Sequence, residues 1–191
     1  HGANKGKGAK LRKEIAIATK ECLLHEGIFC ALVSHGSSTV PRYIVEEINA
    51  LGGNIQNAYG ISKEELKAAI PCGIGKINVD TDIRLAVTRN FRELFRDHPE
   101  LKDDPKAGGV WKLLDEKRDA FDPRAFLAPI MDTVMYGTGD EGAVALITDA
   151  MRRGVKEAVG TLIVEFGSYG KAPLVEPATL EDMAARYAKE G

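Results

Sequence analysis

An α/β fold with parallel strands is the architecture predicted by this 191-residue sequence. Helical and strand-like patterns alternate from Lys10 to Pro99, the order in which helices cover the faces of a parallel sheet. Two short apolar runs, Ile28–Ser34 and Ile74–Val79, interrupt the helical periodicity. Each is followed at once by polar residues, HGSS after the first and DTD after the second. In folds of this class ligands bind beyond the carboxyl ends of the strands.

Leu11, Ile15, Ala18 and Cys22 recur at helical spacing between Lys10 and His25, and Gly27 stops the pattern. IFCALVS, bounded by Gly27 and Gly36, reads as a strand buried on both faces. After Pro41, which a first helical turn tolerates, Ile44, Val45, Ile48 and Leu51 form a stripe ended by Gly52-Gly53. Ser62 and Glu65 make a capping box for a short helix carrying Leu66, Ala69 and Ile70, before Pro71 and Gly73. The strand Ile74–Val79 comes next, then a helix whose face is Ile83, Val87, Phe91 and Leu94, ending near Pro99. Lys102–Ala120, charged and glycine-containing, reads as a loop. Asp122-Pro123 starts a helix using Phe126, Ile130 and Val134, which YGTGDEG breaks. A long amphipathic pattern runs from Val144 to Phe166, and Thr179 with Asp182 caps a final helix.

With 44% hydrophobic and 28% charged residues, the chain has the composition of a soluble globular domain. Its 26 basic and 28 acidic residues leave a net charge of -2, so no global field recruits nucleic acid or an anionic membrane. No apolar run reaches the length of a membrane span. Cys22, Cys30 and Cys72 are odd in number and lack C-x-x-C spacing, which predicts buried or inert thiols in a reducing, cytoplasmic setting. The opening HGANKGKG reads as the middle of a loop, as in a truncated or cleaved chain.

Two loops share a pattern: His1-Gly2 with Lys5, and His35-Gly36 with Ser37 and Ser38. A histidine beside glycine sets an imidazole next to exposed backbone N–H groups, so one loop can hold a metal and a phosphate together. Ser37, Ser38 and Thr39 read equally well as caps for the helix at Pro41, and Asp80 or Thr81 as caps for the helix that follows. Arg84 and Arg124 read as ion-pair partners or anion clamps. The lysines at 5, 7, 10 and 13 have no interleaved aromatics and read as a solvated face. G-x-x-x-x-G-K-[ST], H-E-x-x-H and G-x-S-x-G are absent.

Taken jointly, LVSHGSSTVP, GGNIQNAYGISKEELKAAIPCGIGKINVDTDIRLA, FDPRAFLAP and FGSYGKA closely resemble class II, metal-dependent fructose-bisphosphate aldolases. The resemblance runs from His1 to about Ala172 and implies the C-terminal portion of a TIM (β/α)8 barrel with extra helices. Residues 102–120 and 137–154 would then be added segments, and 173–191 a C-terminal helical extension used for packing or subunit contact. The resemblance also implies zinc held in part by His1 and His35, with a monovalent cation near the phosphate loops. Gly2, Lys5, Gly36, Ser38, Asp80 and Thr81 would bind the phosphate of the dihydroxyacetone-phosphate half. Asn78 would contact the reacting carbon skeleton as the catalytic amide, and Arg124 would reach the other phosphate in a neighbouring subunit of a homodimer or larger homo-oligomer. The implied reaction is reversible cleavage of fructose 1,6-bisphosphate through a zinc-stabilised enediolate.

Two departures bear on that reading. Asn4 stands where the family usually has an aromatic residue. The part matching the family's N-terminal half is missing, and with it a further zinc histidine, the catalytic aspartate and a glutamate; that half of the barrel is therefore an expected partner. A tagatose-bisphosphate aldolase, or a non-catalytic phosphosugar-binding or assembly module, are the alternatives.

Overall fold

The structure, a computed structural model, describes residues 10–175 and 178–190. His1, Gly2 and Lys5 lie outside the described residues. The order is α1 (Lys13–His25), β1 (Leu32–Ser34), α2 (Arg42–Ala50), α3 (Lys63–Ala69), β2 (Ile74–Ile77), α4 (Thr81–Asp97), α5 (Ala107–Glu116), α6 (Met131–Tyr136), α7 (Gly142–Glu165) and α8 (Leu180–Glu190). β1 and β2 pair in parallel, Leu32 opposite Ile74 and Ser34 opposite Ile77, with a register shift after Leu32. The α/β order with parallel strands is thus present, in a chain that is mostly helical. A two-stranded sheet does not close an eight-stranded barrel.

The first strand departs from its expected burial. Only Leu32–Ser34 is strand, Phe29 is 85% exposed and Val33 47% exposed. Among the described residues no third strand flanks the pair, so surface that a larger sheet would cover faces solvent. The thiols also differ from expectation: Cys22 and Cys30 are exposed and Cys72 half-buried, all unpaired.

Local side-chain caps set the starts of α3 and α8. Ser62 Oγ accepts from Glu65 N at 3.2 Å and caps α3. The Glu65 carboxylate does not complete the box; it takes Lys13 Nζ at 2.9 Å and Leu11 N at 3.3 Å, tying the start of α1 to α3. Thr179 and Asp182 cap α8 reciprocally, Asp182 N donating to Thr179 Oγ1 at 3.1 Å and Thr179 N to Asp182 Oδ2 at 2.9 Å.

The segment 102–120 is not a loop. It contains α5, whose Ala107, Val110 and Leu114 are buried while Lys112 and Glu116 face solvent. Asp104 Oδ1 accepts from Lys106 N at 2.9 Å and Ala107 N at 2.8 Å, supplying the start signal. The helix expected from Asp122 is broken instead into tight turns at Pro123–Ala125 and Ala128–Ile130 followed by α6, because Pro129 has no N–H to continue a ladder.

The core lies between helices. Phe91, Leu94 and Phe95 of α4 meet Val110, Leu114, Phe126, Ile147 and Ala150, with Phe91 edge-on to Phe126 at 6.2 Å. A second cluster joins Ile44 and Ile48 of α2 to Leu85, Ala86 and Ala158. Buried Arg92 donates to Leu114 O at 2.9 Å and Leu51 O at 3.4 Å, at the C-terminal ends of α5 and α2, where helix dipoles favour a cation. Burial lowers its pKa below the ordinary arginine value.

α4 and α7 cross at Gly154, where an added Cβ would lie 2.7 Å from Val87 Cα and 2.8 Å from Val87 N. Glycine within a helix ordinarily costs about 1 kcal/mol relative to alanine. At Gly154 the sign should reverse: Gly154→Ala should destabilise, and Gly154→Val should cost roughly 2–3 kcal/mol in urea unfolding. At Gly160, with nothing within 4 Å, alanine should stabilise by about 0.5–1 kcal/mol. Equal responses at the two positions would refute the close crossing.

Candidate functional site

Because β1 and β2 run parallel, their carboxyl ends open on the same side, and the chain continues the pairing past both strands. Asn78 N donates to Ser34 O at 2.9 Å and Ser37 N to Asn78 O at 3.2 Å. This places His35, exposed in its loop, beside Asn78, with Nδ1 and the amide Nδ2 2.8 Å apart. Lys76 Nζ contacts Asn78 Oδ1. Two groups separated by 43 residues thus meet at one sheet end.

The serines and threonine of the first loop do not cap the helix beside them. α2 follows Pro41, its N-cap, without a side-chain cap. Ser38 Oγ instead accepts from Asp80 N at 3.2 Å and Thr81 N at 3.0 Å, so it caps α4 from across the sheet. Buried Ser37 bonds Ser34 Oγ at 2.6 Å. Asp80, expected as a cap, forms no side-chain cap bond, because Arg84 one turn on draws its carboxylate away, with Nε to Oδ1 at 2.8 Å. Thr81 is the first residue of α4 and offers its N–H to Ser38.

Gly36 turns the chain with φ 64°, and Val40 has φ 51°, an unfavourable conformation for a β-branched residue. The loop is held from two sides. Asp82, 4% exposed, accepts Thr39 Oγ1 at 2.5 Å and Val40 N at 2.9 Å. From the other side Ile61 N donates to Ser38 O at 3.0 Å, and a Cβ on Gly60 would sit 2.3 Å from that same oxygen. Asp82 is the residue whose part in the site the sequence did not reveal, whereas Arg84 is the ion-pair partner it was read as. The signal for Asp82 was faint: one acidic residue inside the first turn of an otherwise apolar-striped helix.

Charge runs outward from the loop. Arg84 NH1 reaches Asp122 Oδ2 at 3.0 Å, and Asp122 also accepts from Arg124, Nε at 3.0 Å and NH2 at 2.5 Å. The Arg124 side chain is 73% exposed. The structure therefore shows the local ion pair that the sequence left open beside an anion clamp. The guanidinium of Arg124, with a smaller contribution from Arg84, holds the Asp122 carboxyl below the ordinary aspartate range, and Asp122 raises Arg124 in turn.

For a metal, the described residues offer the His35 imidazole, with Asn78 at one ring nitrogen. Among them no three His, Cys, Asp or Glu side chains converge, so they fit one position of a ligand set and do not form a whole one. Among the described residues no helix is long and apolar enough to cross a membrane.

The sequence model of the family described as Fructose-bisphosphate aldolase class-II matches residues 1–171. The chain is 35% identical over 172 residues to a fructose-bisphosphate aldolase of Thermus caldophilus, covering 90% of this chain and 42% of that protein. It is 34% identical over 158 residues to the fructose-bisphosphate aldolase class 2 of Synechocystis, covering 83% and 33%. A fructose-bisphosphate aldolase of Xanthobacter flavus is 33% identical over 157 residues, covering 82% and 33%. The chain thus spans between a third and somewhat under half the length of the curated relatives it matches.

Proposed function

The chain belongs to the class-II fructose-bisphosphate aldolase family, and from that premise we propose that, completed by the N-terminal half of the barrel, it catalyses reversible aldol cleavage of fructose 1,6-bisphosphate to dihydroxyacetone phosphate and glyceraldehyde 3-phosphate. The observation that supports this best is the meeting of His35, Asn78 and the Ser38-capped start of α4 at one sheet end. His35, with His1 and a ligand from the other half, would hold zinc. Zinc, when bound, supplies a Lewis acid that polarises the substrate ketone.

The chain's own residues bind and orient. The Asn78 amide donates a hydrogen bond to negative charge developing on the substrate oxygen. Ser38 Oγ accepts two backbone N–H bonds, which leaves its hydroxyl hydrogen for a phosphate oxygen. Gly36, Asp80 and Thr81 line that phosphate from the two loops, the N–H groups of Asp80 and Thr81 acting through the Ser38 hydroxyl they hold, joined by Gly2 and Lys5 and by a monovalent cation beside the loops. The unpaired, accessible thiols suit a reducing cytoplasm. The relatives' names support fructose over tagatose bisphosphate. Cleavage of both sugars by the complete protein tests this: faster turnover of the tagatose sugar, or of neither, would sink the assignment.

Arg124 takes the second phosphate of a neighbouring subunit in the proposed homodimer, exchanging its Asp122 partner for a phosphate that its planar fork fits equally well. Arg124→Ala should raise KM for the bisphosphate by about 10-fold or more and leave proton exchange on dihydroxyacetone phosphate nearly unchanged. Mixing it with His35→Ala subunits should restore some activity. Equal losses in both assays would remove the cross-subunit role.

A further inference from the structure

We propose that Asp82 is a positioning residue, holding the loop after β1 in the strained conformation that aims Ser38 at the start of α4. This inference rests on the phosphate-binding reading of Ser38 and Thr81. Asp82 lies in the first turn of α4 but belongs functionally to the other loop: its two carboxylate oxygens take Thr39 Oγ1 at 2.5 Å and Val40 N at 2.9 Å. Both bonds reach across 42 or 43 residues of sequence. At 4% exposure, water does not compete freely for them.

The bonds fall where the backbone needs them. Val40 at φ 51° relaxes toward negative φ unless its N–H is fixed, and that rotation would carry Thr39 and Ser38 with it. Ser38 would then leave the N–H groups of Asp80 and Thr81. One carboxylate therefore fixes two phosphate loops relative to one another, with no contact to the phosphate itself.

The test is titration of the full chain with inorganic phosphate, read at the amides of Ser38 and Thr81 by NMR, with thermal unfolding to confirm that each variant is folded. Wild type should respond at both amides. Asp82→Ala should weaken phosphate about tenfold. Asp82→Asn, which keeps an acceptor for Val40 N and can donate to Thr39, should stay within about threefold. Thr39→Val, which removes one bond and preserves shape, should weaken binding about threefold and serves if the alanine variant does not fold. Adding Val40→Gly to Asp82→Ala should recover most of the loss, because glycine adopts positive φ unaided. A silent wild type would overturn the phosphate reading and this inference with it. A responsive wild type with equal affinity in Asp82→Ala and Thr39→Val would overturn the positioning role alone. Failure of Val40→Gly to rescue would do the same, since strain at Val40 is the mechanism.

Discussion

Replacing His35 with alanine should remove zinc and aldol cleavage together from the complete protein. His35 is the only imidazole among the described residues at this end of the sheet. A site with three protein ligands that loses one holds its metal loosely. The loss in affinity should exceed the roughly 10–100-fold that removing an outer-shell partner costs. Metal analysis of the purified variant beside a coupled cleavage assay checks it. Stoichiometric zinc with normal turnover would sink the ligand assignment.

Asn78→Ala should separate the two losses. Its main-chain bonds, N to Ser34 O at 2.9 Å and O from Ser37 N at 3.2 Å, do not depend on the side chain, so the sheet end and its loops survive. What disappears is the amide beside His35. Turnover should fall by roughly 10²-fold or more, the usual cost of one donor to developing charge, while zinc stays bound, with affinity lowered by no more than the roughly 10–100-fold that an outer-shell partner of His35 contributes. A variant that turns over normally would take Asn78 out of the mechanism.

Legibility in the sequence followed the range of the interactions. α2, α3, α4 and α7 could be read because stripe and stop signal sit within one helix length, as with Ile44, Ile48 and Gly52. α5 escaped because its cap is Asp104 without a matching glutamate, and because Gly108 and Gly109 looked like loop residues. They are close-packing residues instead: a Cβ on Gly108 would meet Lys102 O at 2.3 Å and one on Gly109 would meet Pro129 at 3.0 Å. The exposure of Phe29 and Val33 was hidden because an apolar run shows what a strand tolerates, and not what is present to cover it.

Within the site, residue types and loops were legible, but partners across the sheet were not. Ser38 reaching Asp80 and Thr81, and Asp82 reaching Thr39 and Val40, are set by the parallel register and leave no local pattern. The Asp122–Arg124 pair, two residues apart, was readable as an alternative for that reason. His1, Gly2 and Lys5 lie outside the described residues, and their roles rest on the resemblance.

The larger apolar cluster, from Val87 to Ala150, is drawn from one continuous stretch of chain. All its members lie outside both strands, so it is a core that does not depend on the sheet. The β1 edge, with Phe29 and Val33 exposed, has the few buried contacts expected of a part that opens locally before the whole unfolds. The seam between these two grades of firmness passes through the site: His35 stands on the β1 side, and Ser38, Thr81 and Asp82 on the side fastened to α4. A ligand that grips both sides therefore puts part of its binding free energy into closing that seam, and its affinity reports the order of a small sheet as much as the chemistry of two loops.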